Sequence, residues 1–332
     1  MRLSSFRRIT ILTFFLACLF SGPVIFATSY TWTGTTSTAW NVGTNWSPNG
    51  VPGSGDNATI VSVTNQPVLD ASHSVTDFTM TSGTLDLNTY TLTSTGISTF
   101  NGGTISNGTM SSTGSSATYA GTTFGAAVSA NSSAILLNGS TFNSIASFTK
   151  TGGTNDNSSG NNTFGGTTSI VNNGTGFFLL GNTNGDTFNS NVTFSVSSSG
   201  HIYVSHASST QFNGNITFNN TSTGYIFFCN NSGTATLASG KTLTIGGSGF
   251  TGGGLYLWNF TQVGSTSQIL SLSSSTSLNI QNSSFNGKVN FTAGNWELNH
   301  NYFADSCIVE KTGGNTNDLT GGNKFNGPLV AS

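Results

Sequence analysis

The residues able to do chemistry are few and scattered. Asp70, Asp77 and Asp86 are the densest acids, spaced 7 and 9 residues apart. Glycoside hydrolysis needs two carboxylates facing one sugar linkage across a short gap. Polysaccharide lyases built on β-helices use Arg or Lys as base beside calcium-binding acids. Here the only arginines are Arg2, Arg7 and Arg8, and the lysines stand far from the acids. Turn and capping roles account better for the three Asp, so no catalytic residue, cofactor or bound metal is expected. His201 and His206 are an odd number of residues apart, which puts them on opposite faces of a strand and argues against a two-His metal site. The stretches Gly152-Gly153 to Asp156 and Gly313-Gly314 to Asp318 resemble calcium-binding glycine loops, but the nonapeptide period of such loops is missing.

Candidate ligand contacts are aromatic. Trp32, Trp40 and Trp46 fall within 15 residues, and flat indole faces suit carbohydrate rings. The favoured reading is a cap, because a stack of strands must cover its first open edge. In Trp296-Glu297-Leu298-Asn299-His300, strand alternation puts Trp296, Leu298 and His300 on one face. That makes Trp296 and His300 candidate contacts, unless the segment is an ordinary surface strand. Two cysteines follow the N-terminal region, Cys229 and Cys307. Buried thiols are the plainer reading, and pairing in an oxidising compartment is the alternative.

The elements that must position these residues are written in the composition. Charged residues make up 5% of 332, against roughly 25% in an ordinary soluble protein. Aromatics reach 11%, with 25 Phe. Few charges and many aromatics exclude charge-driven disorder, and the scarcity of basic residues excludes a nucleic-acid partner. Arg2, Arg7 and Arg8 precede the apolar run 9–20 and the Gly22-Pro23 break, the three-part pattern of a secretory signal peptide spanning residues 1–27. The apolar run is too short for a membrane span, and none is expected later. Without the leader, five Lys against ten acids leave a net charge of −5.

Internal repetition decides the architecture. The unit Phe-Asn-Gly-x-aliphatic-polar-aromatic occurs at Phe212–Phe218 and Phe285–Phe291, with looser copies at Phe100, Phe124, Phe142, Phe164, Phe188 and Phe325. Phe164, Phe188 and Phe212 are 24 residues apart, and the upstream segments 177–180, 201–204 and 225–228 keep that step. An offset of 161 residues maps Phe124, Phe142 and Phe164 onto Phe285, Phe303 and Phe325, Lys150 onto Lys311, and Asn162 onto Asn323. Apolar and polar residues alternate in runs rich in β-branched and aromatic types, separated by Gly and Asn. The prediction is an all-β, right-handed parallel β-helix (a β-solenoid) with rungs of 18–25 residues. Residues 28–62 form its Trp-rich N-terminal capping module and residues 63–332 its repeats.

Stacked rungs about 4.8 Å apart superpose equivalent side chains. This explains the missing charges, since like charges facing each other on neighbouring strands repel. About a dozen rungs would form a rod roughly 60 Å long. Asn189, Asn213, Asn286 and Asn326 are expected at matching corners, with stacked amides bonding along the axis.

The pattern Trp32-x-Gly34, Trp40, Asn45-Trp46, Val51-Pro52 and Asp56-x-Ala58-x-Ile60 resembles the opening of secreted bacterial β-strand-repeat proteins. These are adhesin-like surface proteins of Bacteroidetes type, similar to autotransporter passenger domains, and the Thr/Ser/Asn/Gly repeats resemble their bodies. The resemblance implies a bacterial, extracellular or cell-surface protein and, with surface glycans as candidate partners, a non-enzymatic stalk binding weakly at many points. It also implies a longer protein. The sequence stops at Leu329-Val330-Ala331-Ser332 inside a repeat, so further repeats or an anchoring domain are expected to follow. The alternative is a carbohydrate-binding or polysaccharide-degrading β-helix.

Overall fold

The computed structural model describes residues 27–314 and 318–332. The expected leader, apart from Ala27, lies outside them. The described residues form an all-β solenoid of about 12 turns, with a single 3-10 turn at Gly43–Asn45. Past the first two coils, a turn carries three short strands, one for each face of the rod. Val192–Val196, Ile202–Val204 and Ser209–Phe212 make one such turn. Each pairs in parallel with its counterpart in the next turn, Ile216–Asn220, Tyr225–Phe228 and Thr234–Leu237.

The third face is an uninterrupted sheet of 12 strands from Thr84–Asp86 to Lys324–Phe325. Its register gives the turn lengths, from 18 residues between Phe124 and Phe142 to 25 between Phe212 and Leu237. The other two faces each contain one seam. The second face is a 7-stranded sheet ending at Ala134–Asn138, followed by an 8-stranded sheet starting at Asp156–Asn157. The first is a 9-stranded sheet ending at Leu243–Phe250, followed by a 4-stranded sheet starting at Gln268–Ser271.

Side chains bridge both seams. The N–H of Ile135 donates to Asp156 Oδ2 at 2.7 Å and that of Leu137 to Ser158 Oγ at 3.0 Å. At the second seam the N–H of Leu243 donates to Gln268 Oε1 at 2.7 Å. Side-chain oxygens thus replace ladder carbonyls, so the strand edges keep their bonds where the backbone register slips.

Alternation places the apolar residues inside. On the third face Phe124, Phe142, Phe164, Phe188 and Phe212 stack ring on ring, with centroids 4.5–5.2 Å apart and planes within 9° of parallel. Leu237 and the buried Gln262 interrupt the column. It resumes through Phe285, Phe303 and Phe325, the residues at the 161-residue offset. Phe148 and Phe194 of the first face meet this column edge-on.

Phe100 is a correction. It resembles a repeat start, yet it closes the second-face strand Ile97–Phe100 and stacks on Tyr119 at 4.9 Å. Ile105 holds the third-face position next to Phe124. Phe-Asn-Gly encodes a corner, and a coil has more than one.

A buried polar column runs beside the Phe column. The residue two before each ladder Phe sends its oxygen to the backbone N–H of its counterpart one turn earlier: Ser140 to Thr122, Asn162 to Ser140, Asp186 to Asn162 and Thr210 to Asp186, at 2.9–3.2 Å. Asn301 and Asn323 continue the arrangement towards Ser283 and Asn301. The Asn corners foreseen from sequence are more limited: Asn213 donates to Asn189 at 2.9 Å on the surface, and Asn326 donates to Tyr302 Oη.

At the N-terminal end, Ser29–Trp32 already pairs in parallel with Asn57–Ile60 as a rung. Its outer edge is covered by the antiparallel pair Trp46–Ser47. Trp32, Trp40 and Trp46 fill the end of the core, with Trp46 edge-on to Trp32 at 5.0 Å and to Trp40 at 4.6 Å.

Candidate binding face

The candidates read from sequence are largely interior. Trp32, Trp40 and Trp46 are at most 1% exposed, so the expected sugar-stacking surface there is corrected: these rings plug the first coil. Trp32 Nε1 donates to the Asn65 carbonyl and Trp46 Nε1 to the Trp40 carbonyl. Trp296 and Leu298 also point inward. His300 does not share their face. The strand ends at Asn299, and His300 sits exposed in a turn at φ +53°, its ring over Gly322 and its Nδ1 beside Asn299 Oδ1. The grouping of Trp296 with His300 is therefore corrected as well.

The acids are committed to the fold. Asp77 Oδ1 accepts the Ile97 N–H, Asp86 Oδ1 accepts from the Asn88 N–H and Asn107 Nδ2, and Asp70 pairs with His73 at 3.1 Å. Asp156, flagged for its glycine loop, lies buried 3.6 Å from Lys150 Nζ. Burial raises the Asp156 carboxyl and lowers the Lys150 amine from their ordinary values, with mutual attraction opposing both shifts. Among the described residues no cluster of three or more His, Cys, Asp or Glu is disposed to hold a metal ion. No helix in this part of the chain is long and apolar enough to cross a membrane. Cys229 and Cys307 are buried and unpaired.

The outward side of the second face carries the surface that sequence reasoning missed. Its strands Ile202–Val204, Tyr225–Phe228 and Gly254–Trp258 are apolar on both sides. Ile226, Phe228, Leu255 and Leu257 fill the core, while Tyr225, Phe227, Tyr256 and Trp258 alternate outward. Register puts Tyr203, Phe227 and Tyr256 in one column. Phe227 and Tyr256 stack at 4.5 Å and 7°. Trp258 stands crosswise to Phe227 at 4.6 Å and 78°, and Tyr225 crosswise to Tyr256 at 5.4 Å and 90°. Gly254 makes this possible, because a Cβ there would come within 2.8 Å of the Tyr256 ring and 3.0 Å of the Tyr225 ring.

His201 and His206 border the same patch. Their odd spacing predicted opposite faces, yet both rings lie about 6 Å from Tyr203. The strand is only Ile202–Val204, and Ser205 at φ +54° turns the chain back outward. His201 Nδ1 accepts the Tyr225 N–H at 2.9 Å, and burial lowers its imidazole from the ordinary value.

Beyond Trp258 the face turns polar. Trp258 Nε1 donates to Asn279 Oδ1 at 2.7 Å, and Asn279 Nδ2 donates to Glu297 Oε2. The Tyr256 hydroxyl is raised above its ordinary value by burial first, then by Tyr225 and Glu297. The signal available in the sequence was the doubled apolar phase of Tyr225-Ile226-Phe227-Phe228. A strand with one wet face alternates with polar residues, and this one does not.

Rings that touch along three consecutive turns, next to an amide and a carboxylate, form a rigid contact surface. No family of known proteins, no curated protein and no solved structure matches this chain.

Proposed function

We propose that this chain is a secreted or cell-surface, adhesin-like solenoid, a non-enzymatic stalk that binds weakly at many points along its length. The observation that carries this reading is the outward aromatic surface formed by Tyr225, Phe227, Tyr256 and Trp258 within the 8-stranded sheet of the rod. Aromatic side chains give large contact area at little entropic cost, and they concentrate where proteins bind. Strand ladders hold the surface fixed, so little ordering opposes binding. Export by the leader and a likeness to Bacteroidetes-type surface proteins belong to the same proposal, as does continuation into further repeats.

The test has two parts. An antibody against residues 30–60 should detect the native protein in the envelope or medium. Beads coated with the purified chain should adhere to intact cells or extracellular matrix, and adhesion should rise steeply with coating density, as avidity requires. Native protein confined to the cell interior, or beads that do not adhere, would overturn the proposal.

A further inference from the structure

Resting on that reading, we infer that the outward second face is a binding site for a neutral glycan chain lying along the rod axis, centred on Tyr225, Phe227, Tyr256 and Trp258 and extended by Asn279 and Glu297. The stacked pair Phe227 and Tyr256 has its planes across the axis, so it presents ring edges outward. Trp258 and Tyr225 stand crosswise to that pair, two residues after Tyr256 and two before Phe227 on their strands, and the His201 ring packs on one side of Tyr225 at 4.9 Å. A pyranose presents an apolar C–H face that fits the electron-rich face of such rings. Its length is close to one step between turns, about 4.8 Å, so successive sugars would meet successive coils.

The surface is not suited to a purely apolar partner. Where the aromatic run ends, the chain from Trp258 Nε1 through Asn279 to Glu297 begins. A carboxylate accepts several hydrogen bonds, so Glu297 keeps acceptor capacity for sugar hydroxyls beyond the one from Asn279. Charge sets the class of glycan. Glu297 stands in the column of Tyr203, Phe227, Tyr256 and Asn279. Its carboxylate is the charged group among these side chains, so uronate or sialylated chains meet repulsion and neutral chains do not.

Trp258 also supplies the readout. Trp32, Trp40, Trp46 and Trp296 are buried, whereas Trp258 is half-buried at the surface. Cellohexaose, chitohexaose and oligogalacturonate would be titrated into the intact chain, followed by tryptophan fluorescence and calorimetry. The expected result is saturable binding of a neutral hexasaccharide with a shift in Trp258 emission. Trp258→Ala and Tyr225→Ala should each weaken it by about tenfold or more while keeping the parent's β-sheet circular dichroism, with some loss of melting temperature for Trp258→Ala because its ring packs against the core. Oligogalacturonate should bind more weakly, and Glu297→Gln should narrow the difference.

Three results would overturn the inference: no neutral glycan shifts the emission, W258A binds as well as the parent, or sedimentation shows that the face joins two copies of the chain. Coated beads separate this failure from that of the broader proposal. Adhesion that survives periodate oxidation of cell-surface sugars would sink the glycan site and leave the stalk standing, whereas beads that never adhere would sink both.

Discussion

Asp186 lies one turn beyond Asn162, and its Oδ1 accepts both the backbone N–H of Asn162 at 2.9 Å and the side-chain Nδ2 at 2.8 Å. It is the only acid in a buried column otherwise made of Thr, Ser and Asn. Burial pushes its carboxyl from 3.8 up to about 6, against the pull of the two Asn162 bonds. The folded chain therefore holds this proton where the unfolded chain has lost it, and stability falls as pH rises through that window. The contribution is complete below about pH 4 and gone above about pH 6, an effect of about 3 kcal/mol in order of magnitude. Asp186→Asn should match the parent near pH 4 and be the more stable protein near pH 8. Melting curves at both pH values check this, and a difference that does not grow with pH would contradict it.

The buried pair Lys150–Asp156 sits at the second-face seam. Lys150 Nζ also donates to the carbonyls of Ser133 and Gly152, at 3.2 and 2.9 Å. Lys150→Met strands a carboxylate inside the rod and should cost about 3–5 kcal/mol. Adding Asp156→Asn should recover part of that loss, since an amide oxygen can still accept the Ile135 N–H. Denaturant unfolding of the single and double variants measures both quantities, and equal stability of the two would refute the pairing argument.

Position in the Phe column should grade the cost of truncation. Phe164 has a stacked ring on each side, Phe142 at 5.2 Å and Phe188 at 4.5 Å, and it is fully buried. Phe164→Ala should lose about 3–5 kcal/mol. Phe325 is only partly buried and has the Phe303 ring on one side, so Phe325→Ala should lose clearly less. Chemical denaturation of both variants decides; equal losses would mean the column is not what holds the coils.

The two thiols should be silent in the native protein. Burial pushes both Cys229 and Cys307 up to about 12, so almost no thiolate forms near neutral pH. Iodoacetamide followed by mass measurement should label neither residue before unfolding and both after it. Native labelling at the unfolded rate would show that these coils open.

The solenoid was legible because its register is written in residue types: Phe164, Phe188 and Phe212, equally spaced, stack one on another as they must. Fine placement was not legible from the same motif, as Phe100 demonstrates, because each corner of a coil uses similar Gly and Asn chemistry. The buried polar column left a trace in the small polar residue two before each ladder Phe, as in Asn162-Thr163-Phe164 and Asp186-Thr187-Phe188. Its burial depends on which way a corner folds, and composition does not encode that. Trp32, Trp40 and Trp46 carried two readings in the sequence, because a ring able to stack on a sugar is equally able to plug an open end, and burial decides for the plug. The aromatic face was hidden for a related reason. Tyr225 and Phe227 are outward only once Ile226 and Phe228 are known to be inward.

The two seams fall in different turns. Where the second face breaks after Ala134–Asn138, the first face runs on from Ala146–Lys150 to Thr168–Asn172 and the third from Thr141–Phe142 to Thr163–Phe164. Where the first face breaks after Leu243–Phe250, the second runs on from Gly254–Trp258 to Ser277–Gln281 and the third from Phe260–Gln262 to Ser284–Phe285. The joints are staggered like courses of brick. A tear opened at either one under axial load would meet two unbroken courses in the same cross-section, so the rod is expected to gape locally before it parts.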